Sequence, residues 1–561
     1  MKIEQLDDLP LLGSQFTESN LTGLLDEYFP DHGHWLGISG GKLALGWLLY
    51  ILSEGDHRLS YVQDWAESRI EVLSSILEAP ELRALDFSDD RLGRLLDRYQ
   101  DEITWQRFEK ALGQTLLQVY DLDVKRSCTS SIETVRTDSF NVPQFRDPGE
   151  LFRYGYSKQR RADQPFCKVM MAALDSCMVP LAVDVIKGSG PDVDHYLPVI
   201  QRSQSVLGRS GHLYVADAQL CSLSNRSWIH QHGDYYLCPL GRKQCSLEQL
   251  HDYLNQFEDA IEELPALFTA PESKRKTAYY YQVQEEITDP ETGGTWKERR
   301  ILVYAPDYAK GLVESFESRL IKAQENIQNL VISKQGRRNP KILKDLHTRI
   351  DGIIKKFQVE ECFTIDCFET IERGPKQPLN LTIQREEETI ALKRSRLGWQ
   401  VYASNVEEDK LSTAELVTSY RDEYRIEHLF NYMLNRDVGL LPVYLKKEGR
   451  VKGLIHLLSI AMKFSMSLQY QVRKSLAQED KKLSHIYPGN KGRKTELPTT
   501  SMLLRIFRAI AIVWITVENN KVIQMTPLND IQSEILNLLG IQNVYHDIVI
   551  DLQTRFSLRE T

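Results

Sequence analysis

The chain has 561 residues, 69 of them basic and 78 acidic, for a net charge of −9, and 42% of it is hydrophobic. That composition fits a globular protein of two to four domains with sizeable cores. It excludes a protein that coats nucleic acid by bulk positive charge. Residues 1–100 hold 8 basic and 18 acidic side chains, so the acidity is concentrated there and the rest is close to neutral.

No run reaches the roughly 18 apolar residues that span a bilayer. The best candidate, residues 43–52, is short and contains Gly46. The N-terminus, with Glu4, Asp7 and Asp8, lacks the apolar core of a signal peptide. Eight cysteines without a CxxC pair are expected to be reduced thiols of a cytoplasmic protein.

Residues 1–128 read as a helical N-terminal region. The stretch 43–52 is apolar all round and predicts a buried helix. Residues 62–77 and 92–120 show apolar positions at helical spacing. From 129 the pattern turns to strands at 134–142, 168–174 and 179–186. The last two are joined by a short turn at Asp175, which predicts a hairpin. A helix at 192–206 and a strand at 213–216 follow. Three strands, a crossover helix and a fourth strand predict an α/β sheet of the ribonuclease H type. Acids on the first strand and at the end of the fourth then lie side by side. This core is expected to span 129–245 plus 404–470.

Residues 246–403 read as an inserted β-rich domain. A hairpin is expected from 279–283 and 299–304 across the turn-rich segment 289–295. Charged helices are expected at 307–333 and 340–356, and strands at 363–371, 379–384, 390–394 and 399–403. Helices resume from 412 through 434, then at 450–477 and 501–515, so that 471–561 reads as a helical C-terminal region.

Three acids stand out. Asp138 lies in the first core strand, Asp217 closes the fourth, and Glu427 sits on a helix after the insertion. A single Asp in a strand is usually a turn or edge acid. Three converging carboxylates instead suit two divalent ions for phosphodiester chemistry. Mg²⁺ prefers oxygen ligands, so Asp138, Asp217 and Glu427 would suffice to hold two Mg²⁺ ions, with Mn²⁺ as a substitute. Tyr156, Lys158, Arg160 and Arg161 combine phosphate-binding cations with an aromatic, a plausible DNA grip. Residues 334–341 and 491–494 are basic loops, read equally well as solvated surface. Trp296 and Trp399 could stack on a base, but packing is the preferred reading. His32, His34, His57 and His456 are read as caps or core residues.

Several segments carry a resemblance: 31–40 with 51–59; 155–165, beginning Gly155-Tyr156; Val215 to Asp217; Tyr420 to Phe430; and 441–445 with 453–459. Together they resemble bacterial insertion-sequence DDE transposases of the IS-four superfamily branch with a β-rich insertion before the catalytic Glu. The resemblance implies metal-dependent nicking of double-stranded DNA at terminal inverted repeats. Attack of the freed 3′-OH on target DNA follows, often with a hairpin intermediate on the flank. It also implies a homodimer in the synaptic complex, association with the bacterial nucleoid and no membrane partner. The family's helix motif has Arg and Lys where this chain has Glu423 and Leu434. Tyr420 fits the motif, and Arg421, Arg425 or Arg436 would have to supply the missing charge. A catalytically inactive, transposase-derived DNA-binding protein is the alternative.

Overall fold

The computed structural model describes residues 2–122, 132–155, 163–256, 261–268, 276–332, 339–369, 379–435, 438–517 and 520–558. The chain divides into two compact units, residues 1–237 with 419–561, and residues 238–418.

The first unit opens with strand β1 (Lys2–Gln5) and a set of helices. The apolar stretch near residue 45 is a helix, Gly40–Glu54, buried along almost its whole length. The two longer periodic stretches are each broken. Residues 62–77 fall in helices Leu59–Glu67 and Ile70–Ile76, and 92–120 in helices Asp89–Tyr99 and Glu102–Val119. Asp101 makes the second break, because its side chain accepts from the Thr104 amide at 3.0 Å and so starts a new helix.

Five strands then form the central sheet: β2 (Thr134–Pro143), β3 (Phe166–Leu174), β4 (Pro180–Lys187), β5 (Leu213–Ala216) and β6 (Tyr235–Pro239). They lie in the order β4-β3-β2-β5-β6. β2, β3 and β4 pair antiparallel, whereas β5 and β6 run parallel to β2. Helix Val193–Leu207 crosses from β4 to β5. β3 is buried at every residue, which is why its stretch 169–174 reads as a continuous apolar run rather than an alternating one. β2 is equally central yet carries Arg136, Thr137, Asp138, Ser139 and Asn141, all buried. Buried polar groups are costly unless partnered, so this strand holds more than packing residues.

The second unit contains β7 (Ala266–Phe268), β8 (Lys276–Thr288), β9 (Thr295–Tyr304), β10 (Phe363–Glu369), β11 (Leu379–Arg385) and β12 (Trp399–Ser404). β8 and β9 form the expected hairpin, pairing from Tyr279–Tyr304 to Thr288–Thr295. β12 adds antiparallel to β9, β7 adds to β8, and β10 pairs with β11 alone. Residues 390–394, expected as a strand, lie instead in helix Glu387–Ser395. Its first turn carries Glu387 and Glu388 and its last turn Lys393 and Arg394, which complements the helix dipole. With helices Leu247–Leu254, Pro306–Gln328 and Leu343–Phe357 as well, the unit is mixed α/β rather than β-rich.

After residue 418 the chain returns to the first unit. Helix Glu448–Gln478 is long and apolar enough to cross a membrane by length and composition, contrary to the sequence expectation, and 94% of that window is buried inside the fold. Two of its buried polar residues find partners internally: His456 Nδ1 lies 2.7 Å from the Tyr99 carbonyl, and Lys463 Nζ donates to the Pro180 carbonyl at 2.6 Å. Gly453 permits close approach to helix Asp89–Tyr99, since a Cβ there would meet the Leu96 carbonyl at 2.3 Å. The expected helix at 501–515 ends at Ile506, and β13 (Ala511–Val517) follows. Its β-branched run pairs antiparallel with both β14 (Asn520–Met525) and β1. The two terminal regions are therefore not purely helical; they share a three-stranded sheet.

Candidate functional site

Asp138 sits in the middle of β2, 8% exposed, with its carboxylate accepting from the Ser139 amide at 2.7 Å. Asp217 follows the last residue of β5. The parallel register pairs Thr137 with Ala216, so the next residue on each strand is an acid. Asp138 and Asp217 thus occupy equivalent places at adjacent strands. Asp217 Oδ1 accepts from the Tyr196 hydroxyl at 2.7 Å and from the Gln219 amide at 2.9 Å. Tyr196 is fully buried. Burial, then the charges of Asp217, Asp138 and Asp192, hold its proton well above the ordinary tyrosine range. It therefore remains a donor to Asp217.

Glu427 lies on helix Tyr424–Leu434 and is exposed. The helix is seated on β2 through Phe430, whose ring centroid is 4.6 Å from that of Phe140. Such a pair contributes about 1 kcal/mol beyond its buried area. Phe140 is two residues from Asp138 and so shares its face of the strand. Glu427 is three residues before Phe430, and Glu423 is four before Glu427 with helical backbone angles. Spacings of three and four keep all three on one side of the helix. The face that meets β2 therefore carries Glu423, Glu427, Phe430 and Leu434.

Glu423 was not among the candidate acids. Burial first, then the charge of Asp138, raises its proton affinity, with Asp217 and Glu427 adding to the effect and a hydrogen bond from Tyr420 opposing it. Four carboxylates thus bear on one another here. The available signal was the i, i+4 spacing of two acids, masked by the expectation of an Arg at 423. Among the described residues no group of three acidic, His or Cys side chains is spaced to hold a metal ion as it stands. Like charges disfavour close approach of carboxylates unless a cation lies between them. As a donor set these acids offer only hard oxygens, which suit Mg²⁺ or Mn²⁺.

The proposed DNA contacts fare differently. Tyr156, Lys158, Arg160, Arg161 and Arg436 lie outside the described residues, as does most of the basic loop 334–341. Arg421 is exposed, and Tyr420 is half-buried beside Glu423. Arg425 is engaged with Asp175 Oδ2 at 2.7 Å, and Arg136 from β2 holds the other oxygen of the same carboxylate. Arg425 therefore ties the helix to the β3–β4 turn. Leu434 is buried at 8% exposure, so the missing Lys is replaced by a core residue. Trp296 and Trp399 are buried on β9 and β12, and His57 and His456 each bond a backbone carbonyl, which agrees with their packing roles. The seven described cysteines are free thiols.

The family model for the transposase DDE domain matches residues 130–463. A solved piggyBac transposase synaptic complex with hairpin DNA aligns at a TM-score of 0.35 and 9% identity, covering 95% of this chain and 84% of that chain. A likeness at that level carries no argument about this chain. Among curated proteins, none matches it in sequence.

Proposed function

The chain belongs to the transposase DDE-domain family, and from that premise we propose that it nicks double-stranded DNA at terminal inverted repeats and joins the freed 3′-OH to target DNA. The observation that carries this reading is the pairing of Asp138 with Asp217 on adjacent parallel strands beneath a helix that presents Glu427. The strand order, with three antiparallel strands, a crossing helix and parallel strands beyond, supports a ribonuclease H-like core.

The family generally uses divalent metal ions. Asp138, Asp217 and Glu427 would hold them here, with Glu423 as a fourth carboxylate. Bound divalent ions activate the attacking oxygen and stabilise the leaving one. In the nick, water attacks a backbone phosphorus and the bond to the 3′-oxygen breaks. In joining, that 3′-hydroxyl attacks a target phosphorus and a target 3′-oxygen leaves, so one phosphodiester replaces another. Tyr196 fixes the Asp217 carboxylate through its hydroxyl, and the Ser139 amide fixes that of Asp138. A homodimer holding two DNA ends, acting in the bacterial cytoplasm at the nucleoid, completes the proposal.

The test is a cleavage assay on DNA that carries the repeats flanking the gene, with wild type and Glu427→Gln compared in Mg²⁺ and Mn²⁺. Nicks at the repeat boundary that vanish in the variant are expected. Binding to the repeats with no cleavage by wild type would overturn it in favour of an inactive DNA-binding derivative, a reading motivated by Glu423 and Leu434 at the family's basic positions.

A further inference from the structure

The second unit contains a cleft of about 780 Å³ whose wall includes Arg242, Arg319, Lys355, Lys393 and Arg396 against a single acid, Glu360. Five cations facing one carboxylate is an unusual balance for a unit that is not otherwise basic. Arg319 is held by the Phe357 carbonyl at 3.2 Å and the Gln358 side chain at 3.1 Å, and Lys393 by the Glu360 carbonyl. None of these partners neutralises a charge. Arg242, Lys355 and Arg396 have no carboxylate partner among the described residues. Arg396 adds a further signal: its Nε is buried and lacks any hydrogen-bond acceptor. A buried donor left unsatisfied is unfavourable, and acceptor oxygens brought to this guanidinium would relieve that cost. Tyr308, 53% exposed, stands on the same wall.

We propose that this cleft binds the phosphodiester backbone of a single nucleic-acid strand. Phosphate oxygens would accept from Arg396 and face Arg242 and Lys355. Arginine is suited to this because its planar fork matches phosphate geometry and stays charged. The volume is that of a small-ligand pocket and admits one strand or strand end rather than a duplex. Tyr308 offers an exposed ring on which a base can stack, the usual companion of a cationic groove that tracks a single strand. All the lining residues belong to residues 238–418, so the site is complete within one unit and contains none of the acids of the first. The assignment rests on the reading that the chain acts on DNA.

The test is fluorescence anisotropy of the full-length protein with labelled single-stranded and duplex oligonucleotides across a salt series, in EDTA, for wild type, the double variant Arg242→Glu/Lys355→Glu, and Arg396→Gln. The double variant is expected to bind the single strand at least tenfold more weakly. Its log–log salt slope should fall by about 1.4, the value for two lost cations on a single strand. Arg396→Gln should weaken binding severalfold with a smaller change in slope. Equal affinity and slope for wild type and the double variant would overturn the cleft assignment while leaving the DNA reading intact. Failure of wild type to bind any oligonucleotide would overturn both. Loss confined to pyrophosphate, added as a competitor, would assign the cleft to a free phosphate ligand and overturn the strand.

Discussion

Two clusters of charge in the first unit have opposite designs. Around Arg202, the guanidinium meets Asp184, Glu102 and Glu109, and Lys463 approaches Glu109 at 3.8 Å while donating to the Pro180 carbonyl. The Val183 amide adds a bond to Glu109 at 3.0 Å. Burial drives Glu109 up and Lys463 down from their ordinary ranges, and the opposite charges around them work against it. On the β2 face that carries Asp138, Glu423 has carboxylates as its charged neighbours, and the donors described for Asp138 and Asp217 are a tyrosine hydroxyl and backbone amides. The comparison separates charges that fold the chain from charges that await a ligand. In the buried ion network each charge has an opposite charge beside it, which offsets the cost of burying it. A carboxylate whose proton affinity is raised by burial and by its carboxylate neighbours, as Glu423's is, has an attraction for a cation.

The sharpest way to break this comparison is to remove acids from the second cluster. Asp138→Ala, Asp217→Ala and Glu427→Gln are each expected to lower the cleavage rate at least a thousandfold, about 4 kcal/mol of transition-state stabilisation. Affinity for repeat DNA in EDTA should stay within about threefold of wild type. A single variant with full cleavage would remove that residue from the site.

The reverse holds for the first cluster. Glu109→Ala leaves Arg202 and Lys463 buried with one carboxylate fewer, which is expected to cost about 3 kcal/mol or more in denaturant unfolding. Replacing Lys463 by Met together with Glu109 by Gln should cost less than Glu109→Ala alone. If Glu109→Ala unfolds at the wild-type midpoint, the network is not structural and the contrast fails.

Beside that network, His456 is fully buried, stacked on Trp105 at 4.4 Å between ring centroids. Burial, the largest influence, lowers its pKa to about 4, with Lys452 and Arg202 acting in the same direction and Glu102 and the Tyr99 carbonyl opposing. The folded state therefore binds this proton less readily than the unfolded state does. Its contribution to stability is fully present above about pH 6.5 and is lost as pH falls from there toward 4, a total of about 3 kcal/mol. Asp8, raised to about 6 chiefly by burial, acts with the opposite sign over part of the range. The useful measurement is thus the difference in unfolding free energy between wild type and His456→Gln from pH 4 to 7. A difference that does not vary with pH would show that His456 titrates normally.

How much of this was legible beforehand follows from the physics of each element. Asp138 and Asp217 could be placed because strand periodicity and a parallel crossover fix which residues become neighbours. Helix Glu387–Ser395 was missed because its apolar residues Ile390, Ala391 and Leu392 are consecutive and show neither period, and only the end charges mark it as a helix. β13 was missed because it follows a helix after only four residues, and its partner β1 is some 500 residues away in sequence. The long helix was expected at 450–477 with His456 as a core residue, but the burial of Lys463 against the Pro180 carbonyl depends on a partner far away in sequence, which no local pattern shows. The cationic cleft draws its wall from four separate stretches of the chain, and no local pattern encodes that convergence.

Glu423 gives the smallest expected effect and the finest test of the comparison. It occupies the position where relatives are expected to carry Arg, and two explanations make different demands. If Glu423 is part of the cation-holding cluster, Glu423→Gln removes a like charge from beside Asp138 and one attraction for the ion. The variant should then unfold at a slightly higher denaturant concentration in EDTA. It should also need about tenfold more Mg²⁺ for half-maximal cleavage, roughly 1.4 kcal/mol of binding, with its rate at saturating metal changed far less. Glu423→Arg would place a cation among three carboxylates, compete with the metal and lower activity further. If Glu423 is instead a degraded phosphate contact, Glu423→Arg should raise cleavage and leave the metal requirement unchanged. The metal titration separates the two even where overall rates agree, because only a residue that faces the ion moves the midpoint. Leu434, buried on the same helical face, is no substitute test, since a Lys there would disturb packing before it reached a phosphate.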